Sequence, residues 1–192
     1  MARKPVAASG PEVWDLETRI EHKKIHGAFY LFLFSMSVPY VLMINLRYIM
    51  IGGFVPPLLD QTTGAVETVL AIASAVTAWM AYSRSRAGNA AGYRAAAQLT
   101  LSLGLIATLM LLYELWVHPL NPMSHYGETF LATVGLCVVM QLMGLLALWA
   151  SASRVKRMGM TDSLRHGYEL VSIFWMFNVV TWIVVYIELY YL

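Results

Sequence analysis

Charge is in short supply along this chain. Charged side chains make up 12% of its 192 residues, about half the share of a soluble globular domain, which is near 25%. With 59% hydrophobic residues and a mean hydropathy of +0.61, that shortage excludes an ordinary water-soluble fold. It also leaves no expectation of nucleic acid as a partner. Cysteine is nearly absent as well: the single Cys137 rules out an intrachain disulfide. No glycine-rich phosphate loop, nucleophile elbow or pair of catalytic carboxylates occurs, so the common hydrolytic and nucleotide-dependent chemistries have nothing to stand on. Nor does a small-residue cleavage site follow the first apolar run, whose N-terminal flank is crowded with charge. That run is expected to persist as a helix and not to be removed as a signal peptide.

What is present is a series of long uncharged runs. Ala28–Leu46 and Ala95–Tyr113 have 19 residues each, Thr129–Ser153 has 25, Leu170–Ile187 has 18, and the shortest, Thr68–Tyr82, has 15. Crossing a hydrocarbon core of roughly 30 Å takes about 20 residues of helix. Continuous apolar runs without a two-residue alternation favour helices over a barrel. The sequence therefore predicts an all-α, polytopic membrane protein with five transmembrane helices, at about 28–46, 65–83, 95–114, 129–153 and 169–188. Residues 27–192 form the membrane domain, and residues 1–26 a cytoplasmic arm. In that arm Ser9 and Glu12 have capping-box spacing, Pro11 suits a first turn, and Val13, Leu16 and Ile20 share one face of a short amphipathic helix. Pro39 is expected to kink the first span.

Basic residues alternate with the spans. Arg3, Lys4, Arg19, Lys23 and Lys24 precede the first, Arg84, Arg86 and Arg94 separate the second and third, and Arg154, Lys156, Arg157 and Arg165 separate the fourth and fifth. Only Arg47 falls on the other side, a split of twelve to one. This places the N-terminus inside and the C-terminus outside. Tyr186, Tyr190, Tyr191, Tyr113, Trp116 and Trp149 are read as interfacial anchors at the span edges.

Intramembrane chemistry generally requires ionisable groups facing the bundle interior, and the span centres offer only Ser35, Ser37, Gln141, Asn178 and Thr181. Gln141 and Asn178 are read as joining helices four and five by a hydrogen bond. Ala71/Ala75 and Thr100/Gly104/Thr108, at four-residue spacing, suggest close helix contacts. His118, His125 and Glu128 on the outer side, and His22 and His26 at i, i+4, are weak metal candidates, since neither set supplies three ligands with an open position on one element. With no histidine inside a span, haem ligation is not expected. The twelve methionines are read as core filling.

The last two spans carry a more specific pattern: Gly135 to Gly144 in helix four, then Gly167-Tyr168-Glu169, Phe174-Trp175-Met176-Phe177 and Trp182. This resembles subunit III of the haem-copper oxidases, in its short five-helix bacterial form. In that family a glycine pair nine residues apart brackets two histidines, and the last helix opens Gly-Phe-Glu and continues to Tyr-Trp-His-Phe-Val-Asp-Val-Val-Trp. Gly27, Phe32 or Leu33, and Ser35 are similar to the family's opening helix. The departures are Cys137 and Met140 in place of the two histidines, Met176 in place of the third, Val179 in place of the aspartate, and Met36 in place of the membrane-buried glutamate.

The resemblance implies a non-catalytic subunit that carries no haem, copper or other cofactor of its own. It would pack beside the catalytic subunit I and other subunits of a terminal oxidase in a bacterial or archaeal cytoplasmic membrane. There it would hold phospholipid and support proton-coupled oxygen reduction. Gly135, Gln141, Gly144, Glu169, Trp175, Asn178 and Trp182 are the implied structural, lipid or subunit contacts, with Glu169 partnered by an arginine or a backbone group. The haem and copper belong to the partners. Roles resting on the family's buried glutamate and histidines do not transfer to this chain. Alternatives are an accessory protein of a nitric oxide reductase, a small membrane transporter, or a membrane enzyme with a metal at His118, His125 and Glu128.

Overall fold

The computed structural model describes residues 11–192 except 58 and 118–119, and for 11–22, 162 and 163 it describes the backbone alone. Five helices account for nearly all of them: α1 (Pro11–Ile51), α2 (Gln61–Arg86), α3 (Ala90–Val117), α4 (His125–Met158) and α5 (Asp162–Tyr190). All five contain stretches long and apolar enough to cross a membrane, and no strand occurs among the described residues. Each helix exceeds its predicted span, because helical backbone continues past the apolar run into the polar flank. The second span, only 15 uncharged residues in sequence, belongs to a helix of 26.

Local sequence explains where the helices start and stop. Asp60 caps α2, accepting from the amides of Thr62 at 3.0 Å and Thr63 at 3.4 Å, which supplies partners to orphan donors of the first turn. Ser124 does the same for α4 through the Gly127 amide. Gly159 ends α4 with φ of 71°, a left-handed conformation that glycine adopts without steric cost. From Pro11, the first described residue, α1 runs unbroken for 41 residues into and through the first span. Inside it, Pro39 has no amide to bond the carbonyl of Ser35. The described helix thus joins the end of the predicted arm directly to the membrane domain; the side chains of Val13, Leu16 and Ile20 lie outside the described residues, as do Ser9 and Gly10.

Successive helices run antiparallel and close into a ring: α2 packs on α3 and α5, and α4 packs on α3 and α5. α1 lies outside this ring against α4 and α5 and makes no contact with α2 or α3 among the described residues. Only 11% of its most apolar stretch is buried, compared with 39–50% in the other four. The ring interior is filled by Trp175 and Trp182 of α5, Leu111 of α3, and Phe130, Val134 and Leu148 of α4. In lipid such packing supplies cohesion through dispersion and shape, since hydrocarbon is as apolar as the side chains it replaces. The alternation creates two ends. The basic end gathers Arg84, Arg86, Arg94, Arg154, Lys156, Arg157 and Arg165 at or near helix termini, with Lys23 and Lys24 inside α1, and the far end gathers the opposite termini.

Candidate functional site

At mid-depth the ring is sewn together by neutral polar groups. Trp175 donates its indole N–H to Ser74 at 3.0 Å, and Trp182 donates to Thr68 at 3.2 Å, both linking α5 to α2. Thr100 of α3 donates to Thr77 of α2 at 2.8 Å. Gln141 and Asn178 are both buried, yet they do not meet. Gln141 Oε1 accepts from Thr108 of α3 at 2.8 Å, while Asn178 Nδ2 donates to the Met140 carbonyl of α4 at 3.0 Å. Each amide finds its donor or acceptor on the neighbour its own face meets, and not in the other as the sequence suggested. Gly104 and Gly144 line the ring of Trp175; a Cβ on Gly144 would fall 2.8 Å from both Trp175 and Asn178. Gly135, by contrast, faces open space.

The far end holds ionisable groups that apolar-run counting assigns to an interface. Arg47 of α1 is fully buried and reaches Glu188 of α5 with Nη1 to Oε1 at 3.1 Å, although without hydrogen-bond alignment. Its guanidinium also lies 5.7 Å from the Tyr126 ring centre. Glu67 of α2 is completely buried, and among the described residues neither of its carboxyl oxygens has a hydrogen-bond partner. Glu114 of α3 lies close enough to interact with it electrostatically and accepts a very short hydrogen bond from Tyr190. Tyr126 donates to the Leu189 carbonyl at 2.6 Å. A cavity of about 150 Å³, lined by Asp60, Thr63, Tyr113, Glu114 and Phe130 among others, opens beside them. Asp60 itself is exposed. The Thr63 hydroxyl, then the Thr62 amide, hold its carboxyl below the usual carboxylate range.

Tyr186 and Tyr190, read from sequence as interfacial anchors, are buried in this cluster, their rings 5.0 Å apart. Tyr113, Trp116, Trp149 and Tyr191 are exposed as anchors should be.

At the basic end, Glu169 of α5 is buried and faces Arg165, Nε to Oε1, at 3.5 Å. Its other oxygen lies 3.9 Å from His166 Nδ1, and the His166 ring stands edge-on to His26 of α1 with centroids 5.9 Å apart. Donor atoms of His26, His166 and Glu169 lie within 4.8 Å of one another, the one such group of three among the described residues. Tyr93 donates to Ser151 at 2.9 Å and packs against Tyr168, whose own hydroxyl is buried without a hydrogen-bond partner among the described residues. Two cavities flank this end. One of about 330 Å³ lies between α4 and α5, lined by Ser151, Arg154, Gly167 and Tyr168 among others. The second, about 230 Å³, lies between α3 and α4 beside Arg94, Gln98, Trp149 and Lys156.

Of the metal candidates read from sequence, His125 and Glu128 are exposed and 4.0 Å apart, while His118 and the side chain of His22 lie outside the described residues. Sequence reasoning missed Glu67 and Glu114, because a carboxylate was taken as the boundary of a span. Their positions a few residues inside α2 and α3 were the available signal. It also missed the meeting of His26 with His166 and Glu169, which needs two helices far apart in the chain.

A family model described as cytochrome c oxidase subunit III matches residues 26–192. Over 131 residues the chain is 30% identical to cytochrome c oxidase subunit 3 of Corynebacterium diphtheriae, covering 66% of this chain and 64% of that protein. It is 26% identical over 147 residues to the protein of that name from Loxodonta africana, covering 73% of this chain and 56% of the relative. With the protein of that name from Pisaster ochraceus it shares 28% over 142 residues, covering 73% and 52%. The chain thus spans about half to two thirds of the length of these curated relatives.

Proposed function

Given that the chain belongs to the cytochrome c oxidase subunit III family, we propose that it is a non-catalytic accessory subunit of a respiratory haem-copper terminal oxidase. In this reading it packs beside the catalytic subunit I, which carries the haem and copper together with its other partners. It stabilises that subunit, binds phospholipid and supports sustained proton-coupled oxygen reduction. The observation that carries the reading is a family match running through all five membrane helices.

The chain's own residues support it. Polar groups at mid-depth are engaged in helix-to-helix bonds, which suits a scaffold. The cavities beside Arg154 and beside Arg94 and Lys156 offer cationic side chains next to apolar grooves, the chemistry that attracts an anionic lipid headgroup. Both lie at the basic end, which the alternation of basic residues assigns to the inside of a bacterial cytoplasmic membrane, with the C-terminus outside. Glu169, held by Arg165, is the proposed inner-side contact that assembly depends on.

The test is purification through a tag on the N-terminal side in mild detergent, with a reduced-minus-oxidised spectrum, partner masses and lipid analysis on the same preparation. A haem-bearing multi-span partner with oxygen-reducing activity and retained anionic lipid is the expected result. Haem with nitric oxide reduction would transfer the subunit to that reductase. A haem-free chain without partners would overturn both.

A further inference from the structure

We propose that His26, His166 and Glu169 form a divalent-metal site of the zinc class that clasps α1 to α5 at the basic end of the bundle. The site uses only residues of this chain and stands independently of the oxidase reading.

Three features point to it. Donor type comes first. Two imidazoles and one carboxylate are a borderline nitrogen and oxygen set that suits Zn²⁺, with a fourth position left for water. Geometry is next. The three donor atoms lie within 4.8 Å of one another, whereas a tetrahedron with metal–ligand bonds of about 2.1 Å has edges of roughly 3.4 Å. Closing that difference takes side-chain rotations, and the His26 and His166 side chains are only half-buried. Last is the division of labour on Glu169. Oε1 faces Arg165 at 3.5 Å while Oε2 faces His166 at 3.9 Å. One oxygen is anchored from behind and the other is directed at the histidines, as outer partners orient a ligating carboxylate.

Location gives the site a consequence. Among the described residues α1 is the helix least held by the rest of the molecule, touching only α4 and α5. Its far end is tied to α5 by the buried pair of Arg47 and Glu188, and the Phe32 ring lies 6.0 Å from Phe174 along the way. A metal at His26 would add a second tie to the same helix, at the basic end of the bundle. The Arg165 guanidinium lowers the affinity by its charge and in exchange fixes the carboxylate, so exchangeable binding is expected and not a permanently filled structural site.

The experiment strips the purified full-length protein, with any partners that accompany it, using a chelator. It then titrates Zn²⁺ against a competing chromophoric chelator. One Zn²⁺ per chain is expected, with H26A, H166A and E169Q each weakening binding at least tenfold and H125A leaving it unchanged. E169Q keeps the side chain's shape, and H26A alters a half-buried position, so two of the variants preserve the fold; far-ultraviolet dichroism checks this. Co²⁺ in place of Zn²⁺ should give a tetrahedral absorption band that H166A abolishes. Zinc binding equal to wild type in the H26A/H166A double variant would overturn the site. So would binding lost in H125A alone, which would move the metal to the far end.

Discussion

The ring of α2 to α5 and the solitary α1 are held by different means. Within the ring, glycines let aromatic rings approach backbone, and five indole or hydroxyl hydrogen bonds tie α2 to its neighbours and α3 to α4. Cohesion is spread over every turn. α1 has no such seam. It buries Leu33, Tyr40 beside Cys137, and Arg47 and sets Phe32 against Phe174, while Leu31, Phe34, Val41 and Leu42 remain exposed. A helix with distributed packing tolerates the loss of one contact. A helix held by few contacts does not.

That contrast is broken most severely at Arg47. Arg47→Ala would leave Glu188 buried and unpaired, a defect of about 3–5 kcal/mol. It should appear as release of α1, read by accelerated proteolysis or hydrogen exchange of Tyr30–Tyr48 while α2–α5 stay protected. Uniform exchange across all five helices would mean that α1 is no more separable than the others. In the ring, Gly144→Val forces a side chain against Trp175 and Asn178 and should cost roughly 1–3 kcal/mol. The loss should be spread over all four ring helices in a denaturant titration.

A smaller effect is expected at Asp60. Its carboxyl is held low by Thr63 and Thr62, so its contribution to α2 is complete above the unfolded carboxylate value, about 4. That contribution is lost as pH falls through the lower folded value. Melting temperatures should therefore be flat from neutral pH down to that range and fall below it. Asp60→Asn, which retains a capping oxygen, should remove the Asp60 share of that fall. The smallest effect belongs to the outer face of α1: Phe34→Ala should change the stability of the isolated chain by less than about 0.5 kcal/mol. If that face contacts another subunit, the same substitution should reduce recovery of the partner in a pull-down.

Five helices and the shared frame of the last two were legible because run length and aromatic spacing are local properties. Gln141 and Asn178 stood out by their place near mid-span, and Gly144, Trp175 and Trp182 by the resemblance; all five are buried. Their partners did not stand out. Which neighbour Gln141 meets depends on the rotation of α4 about its axis, a quantity set by the packing of the whole ring, and Thr108 occupied the place assigned to Asn178. Gly135 shares a motif with Gly144 but faces open space, since nine residues along a helix of 3.6 per turn end half a turn apart. Glu67 was obscured for the opposite reason. A single charge near a span edge is read as the edge, and only the packing of α3 and α5 around α2 draws it inside.

At a rise of about 1.5 Å per residue, the 41 residues of α1 extend roughly 60 Å, twice the thickness of a hydrocarbon core of about 30 Å. The portion from Pro11 to the start of the uncharged run at Ala28 therefore projects beyond the basic end as one helical arm of a lever. Its fulcrum lies near His26. Whatever grips the projecting arm, whether a protein, an antibody or an engineered tag, will exert torque where α1 meets α5 and not merely mark the protein's position.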